Sequence, residues 1–180
     1  MKDKFTRKAK QEGFKARSVY KLREINNKYR LITKEDCVLD LGCWPGSWLQ
    51  VCSKITKNVI GIDKRKTNVP GIKTYFMDVF DDRIFDFGMF DVVLSDLAPT
   101  TTGNINIDQY KSYELSTRAF DIASKVLKKN GNFLVKIFQG EDSVKLLEKM
   151  RRKFNFVKSI KPTSSKKKSK EIYYVGLGFK

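Results

Sequence analysis

Histidine is absent from all 180 residues of the chain. Its absence removes every mechanism in which an imidazole activates a serine or cysteine, so proton transfer falls to Asp, Glu, Lys or Tyr, or to a bound cofactor. Cysteine is scarce as well: Cys37, Cys43 and Cys52 form an odd, widely spaced set of three without a CxxC pair. Neither a structural zinc site nor a disulfide framework is expected from them, and no residue is expected to ligate a metal. They read as small apolar side chains in a reduced, intracellular compartment, with cytoplasm, nucleus and mitochondrion all left open. Long apolar runs are also missing. None approaches the ~20 residues of a membrane helix, and the basic N-terminus, interrupted by Asp3 and Glu12, lacks the apolar centre of a secretory signal. No membrane partner is expected.

Acidic residues are scarce only locally. Of a formal net charge of +17, residues 1–30 hold 11 Lys+Arg against 3 Asp+Glu, and residues 151–170 hold 9 against none. The rest of the chain balances, at 17 of each sign. A neutral body therefore carries two basic segments, and if the fold joins them they form a face for a polyanion, most naturally nucleic acid.

What is present alternates. Cys37–Leu41 (CVLDL), Val59–Asp63 (VIGID), Lys73–Met77, Phe90–Ser95 (FDVVLS) and Asn132–Phe138 are short runs rich in β-branched and aromatic residues. Ser47–Ile55 and Tyr110–Lys128 are helix-compatible segments between them, and Val19, Leu22 and Ile25 give Ala16–Arg30 a helical stripe. Strands alternating with helices predict an α/β fold with a doubly wound, largely parallel sheet. The last two strands, Phe154–Ile160 and Ile172–Leu177, are joined by the polar KPTSSKKKSKE, which has no crossover helix to offer and so predicts an antiparallel pair. Between Asp78 and Phe90 there is room only for a very short helix.

Candidate site residues fall at strand ends, where ligands of such sheets bind. DLGCWPGSW, Asp40 to Trp48, places Gly42 and Gly46 in a turn stiffened by Pro45, where backbone can approach a ligand. The spacing is not the GxGxxG of a dinucleotide fingerprint, which disfavours a nicotinamide oxidoreductase. Asp63 ends the next strand, where a carboxylate accepts from ribose hydroxyls, and Asp78 ends the one after, within reach of an adenine amino group. Taken singly, each is more commonly a helix cap or turn aspartate than a ligand contact. Asp96, in SDLAP, ends the fourth strand, and Lys136 interrupts the apolar FLVKIFQG of the fifth. A lone strand lysine snorkels to water; a lysine beside an aspartate in a crevice has another use.

ARSVYKLREIN, VLDLGCWPGSWLQV, VIGID, LSDLAP, LVKIFQGE and SSKKKSKEIYYVGLGF, in this order, resemble the FtsJ-like ribosomal RNA 2'-O-methyltransferases over nearly the whole chain. Cys43-Trp44 and Thr100 depart from the small residues and the asparagine usual in that family. The resemblance implies a Rossmann-like class I S-adenosylmethionine-dependent methyltransferase, with a mostly parallel seven-stranded sheet and an antiparallel last strand. It implies one methyltransferase domain over residues 1–180, with helical segment 1–30 and loop 161–170 as an RNA-binding rim. It implies a catalytic set of Lys21, Asp96, Lys136 and Glu171, and cofactor contacts at Gly42, Pro45, Gly46, Trp48, Asp63, Asp78 and Asp96.

The implied reaction moves a methyl from S-adenosylmethionine to a ribose 2'-OH, with a uridine of large-subunit ribosomal RNA expected. The expected partner is structured RNA or a ribosomal particle, and the protein is expected to be a monomer. A transfer RNA anticodon-loop methyltransferase and a non-catalytic ribosome-assembly factor are the alternatives. Lys136 is expected to act as the base, its apolar neighbours Val135, Ile137 and Phe138 disfavouring a charge, with Asp96 orienting it and Glu171 holding Lys21 or a ribose hydroxyl.

Overall fold

Four of the five residues of CVLDL are buried, which a strand achieves only when both faces of its sheet are covered. A computed structural model describes residues 4–166 and 168–180; Lys167 and residues 1–3, which belong to the two basic segments, lie outside the described residues. Helices α1 (Lys4–Gln11) and α2 (Val19–Tyr29) precede strand β1 (Cys37–Leu41). Then follow α3 (Ser47–Cys52), β2 (Asn58–Asp63), β3 (Lys73–Phe76), a 3-10 helix (Asp82–Phe87) and β4 (Phe90–Ser95). Last come α4 (Ile105–Val126), β5 (Leu127–Phe138), α5 (Glu141–Lys153), β6 (Phe154–Ile160) and β7 (Glu171–Phe179).

The seven strands form one sheet in the order β3-β2-β1-β4-β5-β7-β6. β3, β2, β1, β4 and β5 are mutually parallel, and β7 runs antiparallel to both β5 and β6. The chain leaves β1 in one direction and returns to β4 on its other side, so a crevice opens between the ends of these two strands.

Alternation along the strands feeds two apolar layers. Val19, Leu22 and Ile25 of α2 and Trp48 and Leu49 of α3 bury against Val38, Leu94, Leu134 and Tyr173 on one face. Ile122 and Val126 of α4 and Leu146 and Met150 of α5 cover Leu39, Val93, Phe133 and Val135 on the other. Each such fully buried side chain contributes about 1.5–3 kcal/mol, which fixes α2, and with it Lys21, over the sheet.

Three elements differ from expectation. The basic N-terminal segment is two helices, parted at Gly13, whose φ of 75° lies in the left-handed region, and α2 starts at Val19 rather than Ala16. β5 begins at Leu127, before Asn132, with a register irregularity opposite Phe90–Val92. Helix α5 is not expected from the sequence pattern, because its fully buried apolar residues, Leu146 and Met150, sit in a segment dominated by charge. The span from Asp78 to Phe90 carries only the 3-10 turn, as its length predicts.

Candidate active site

β1 ends at Leu41 and turns through Gly42, where φ is +79° and an added Cβ would meet Leu97 at 2.9 Å. Only glycine lets this turn approach the loop after β4 so closely. Between the two lies a cavity of about 520 Å³, a size suited to a small organic ligand. Gly42, Asp63, Asp78, Asp96 and Lys136 all line it. Asp63 accepts from the backbone N–H of Trp44 (2.9 Å) and of Arg65 (2.8 Å), and Asp78 accepts from that of Phe80 (2.9 Å). These aspartates are thus turn residues and cavity residues at once. Sequence reasoning did not assign Trp44 a side: it is 49% exposed, lines the cavity, and lies under the Arg65 guanidinium at 4.7 Å. Cys43 turns inward, and burial, followed by the nearby Asp40, pushes its thiol up to about 12, which leaves it unreactive.

Pro45, Gly46 and Trp48 are not brought to the cavity wall. Gly46 faces Val69, whose Cγ2 lies 2.5 Å from where a Cβ would stand. The Trp48 indole is buried on the α2 side, tilted against Tyr173 with ring centroids 6.0 Å apart, and its Nε1 donates to the carbonyl of Ser18 at 2.9 Å. The physical reason is its place on α3: the helix turns this residue toward α2. Together with the Ser18–Ser47 hydroxyl contact of 2.7 Å, the indole anchors the start of the helix that carries Lys21.

The four residues expected to act together converge. Lys136 Nζ lies 3.1 Å from Asp96 Oδ1 and donates to the Asp96 carbonyl at 2.8 Å. Lys21 Nζ pairs with Glu171 Oε2 at 2.7 Å. Tyr173, on strand β7, joins the two pairs. Its hydroxyl donates to Asp96 Oδ1 at 2.9 Å, and the Lys21 ammonium sits 5.5 Å from its ring centre. The cross-strand register Lys136↔Tyr173 and Phe138↔Glu171 explains the convergence, since facing residues on antiparallel strands share one side of the sheet.

Burial pushes the Glu171 carboxyl up, but the Lys21 ammonium, then Lys136 and the Ser169 hydroxyl, outweigh it and hold the group below its usual value. Tyr173 is held well above the ordinary phenol range by burial, then by Asp96 and Glu171, so its hydroxyl keeps its proton and donates.

The two basic segments meet as well. Arg17 donates to the Ser164 carbonyl. Glu24 of α2 accepts from the Thr163 backbone N–H (2.9 Å) and hydroxyl (2.8 Å), which fastens the start of the lysine-rich loop to the helix bearing Lys21.

Sheet order and the crevice at the β1/β4 reversal place the protein among the Rossmann-like α/β folds. The model of the FtsJ-like methyltransferase family matches residues 14–179, and the chain belongs to that family. A protein of Lawsonia intracellularis named ribosomal RNA large subunit methyltransferase E is 43% identical, over 99% of this chain and 96% of its own. One of the same name from Borrelia garinii subsp. bavariensis is 40% identical, over 98% and 96%. Among solved structures, a Plasmodium falciparum protein described as a ribosomal RNA methyltransferase superposes with a TM-score of 0.81 at 29% identity, covering 92% of this chain and 98% of that one. Fibrillarin from Methanococcus jannaschii, at 17% identity and a TM-score of 0.58, shares the fold.

Proposed function

We propose that the protein transfers a methyl group from S-adenosylmethionine to a ribose 2'-hydroxyl of large-subunit ribosomal RNA. The observation that carries this reading is the Lys136–Asp96 pair at the edge of the cavity, with the Lys21–Glu171 pair joined to it through Tyr173. The names of the relatives favour ribosomal over transfer RNA.

The cavity fits the methyl donor on its own chemistry. Its walls offer carboxylates at three strand ends for hydroxyl and amino groups, and the bare Gly42 leaves room that a Cβ would close. Gly42, Asp63, Asp78 and Asp96 would hold the donor, with Pro45 and Gly46 shaping the turn and the Trp48 indole bracing the start of the helix that carries Lys21. When bound, it supplies a methyl already activated by a positive sulfur.

The chain's own residues do the rest. A 2'-hydroxyl is a weak nucleophile, so its proton must leave as the new bond forms. Lys136 takes that proton on Nζ, and Asp96, 3.1 Å away, stabilises the ammonium that results. The Tyr173 hydroxyl bond fixes the Asp96 carboxylate in that orientation. Lys21, already neutralised by Glu171, is free to orient ribose or phosphate without drawing the hydroxyl away. Residues of segment 1–30 and loop 161–170, brought together by the Arg17 and Glu24 contacts, form the rim that meets phosphates.

Incubation with labelled S-adenosylmethionine and ribosomal particles or fractionated cellular RNA tests the proposal. Label is expected at one 2'-O position of large-subunit RNA; label confined to bases or to protein overturns it.

A further inference from the structure

The methyl-transfer geometry leaves one question that a second concavity answers: where the acceptor nucleoside lies. Displacement at a methyl carbon needs the leaving sulfur, the carbon and the attacking oxygen on one line. The nucleoside bearing that oxygen must therefore lie beyond Lys136 as viewed from the cavity. Sheet order fixes what is beyond. The cavity spans the ends of β3, β2, β1 and β4 with Lys136 of β5 at its edge, and the next strand across the sheet is β7. At the end of β5 and the start of β7 a groove of about 240 Å³ opens, lined by Phe138, Ile105, Gln109, Lys170 and Glu171. Lys136 borders the cavity and Glu171 borders the groove, so the two hollows meet at the catalytic set.

The groove has the chemistry of a nucleobase. Phe138, two residues beyond Lys136 and on its side of β5, and Ile105, 55% exposed on the first turn of α4, offer apolar surface for the face of a ring. Gln109 supplies the edge. Its Nε2 donates to the Gln139 carbonyl at 2.6 Å, and its amide lies so close to Gly140 that an added Cβ there would stand 2.9 Å from it. The amide is thereby held in one orientation, with Oε1 left for an N–H donor on the base.

We infer that this groove binds the base of the nucleotide being methylated, with Phe138 and Ile105 against its face and Gln109 at its edge. The inference rests on the proposed RNA 2'-O-methyl transfer. It also accounts for Ile105, an apolar side chain left bare on the first turn of α4 beside the reaction centre.

The test compares wild type with Gln109→Ala and Ile105→Asp in methylation of ribosomal particles, alongside calorimetric titration with S-adenosylmethionine and thermal melting. Both side chains lie outside the catalytic set and the cavity wall. Each variant should lose about tenfold in kcat/KM for the RNA substrate, while the dissociation constant for S-adenosylmethionine and the melting temperature stay at wild-type values. Wild-type kcat/KM in both variants overturns the groove alone, as does a loss matched by an equal loss of S-adenosylmethionine affinity. Absence of RNA methylation by the wild-type protein overturns the function and the groove together.

Discussion

Lys136 is held by two oxygens of a single residue, the carboxylate and the carbonyl of Asp96. Replacing it by methionine keeps the length and burial of the side chain and removes only the amine proposed to accept the proton. Lys136→Met should lower kcat by at least about 100-fold with little change in S-adenosylmethionine affinity measured by calorimetry. Asp40 yields a second prediction. It is fully buried, and neither carboxylate oxygen has a hydrogen-bond partner among the described residues. Burial, then Asp96 and Asp63, raise it well above its ordinary 3.8. Between 3.8 and the raised value the folded chain keeps a proton that the unfolded chain has released, so this group's contribution is full below 3.8 and declines as pH rises. Asp40→Asn removes the decline. The stability of the variant relative to wild type, from urea unfolding, should grow by about 1.4 kcal/mol per pH unit across that window and then level off.

Lys136 and Asp96 were legible in the sequence because strand ends are predictable and both residues break an apolar run. Tyr173 was not. Alternating tyrosines in a strand mark a core, and Tyr173 is in the core; only the antiparallel register shows that its hydroxyl reaches Asp96. The inward turn of the Trp48 side chain was not legible either: adjacency to the glycine turn says nothing of which way a helix points its first side chains.

Among the elements, α2 has a double attachment: apolar on its sheet side through Val19, Leu22 and Ile25, polar at the lysine-rich loop through Glu24. Among the described residues the loop between β6 and β7 forms no helix or strand of its own, and the Glu24 carboxylate fastens its start at Thr163 beside the Arg17 bond to Ser164. Glu24→Ala should speed hydrogen exchange at the Thr163 amide by roughly tenfold or more. It should raise KM for RNA while S-adenosylmethionine affinity stays unchanged. The strands around this loop were readable from their β-branched and aromatic runs, and its polarity correctly implied antiparallel pairing. Helix α5 was not readable, because burial of only a few of its residues by the tertiary fold leaves a weak apolar pattern.

For the molecule as a whole, the excess of positive charge sits in two segments remote in sequence and joined in space. The composition showed the two segments, but not that they meet. If their lysines contact phosphates, RNA affinity must fall with salt through counterion release, each contact adding about 0.7–0.9 to the logarithmic slope. The double variant Lys166→Ala/Lys168→Ala should therefore lower the slope of log KM for RNA against log salt by roughly 1.5, measured in potassium chloride, while affinity for S-adenosylmethionine keeps its wild-type salt dependence.

The insertion of β7 between β5 and β6 has a bearing on when activity first arises. Lys21 and Glu171 are 150 positions apart along the chain yet meet at 2.7 Å, and Tyr173 reaches Asp96 from the same late strand. Pairings of such long sequence separation are slow to form, so catalytic competence is the last property a refolding chain acquires. After dilution from denaturant, recovery of helical circular dichroism should run ahead of recovery of methyl transfer. A chain halted before β7 docks would hold much of its secondary structure while lacking both the pair that neutralises Lys21 and the hydroxyl that orients Asp96. The site thus acts as a check on completeness, switched on only by the finished sheet.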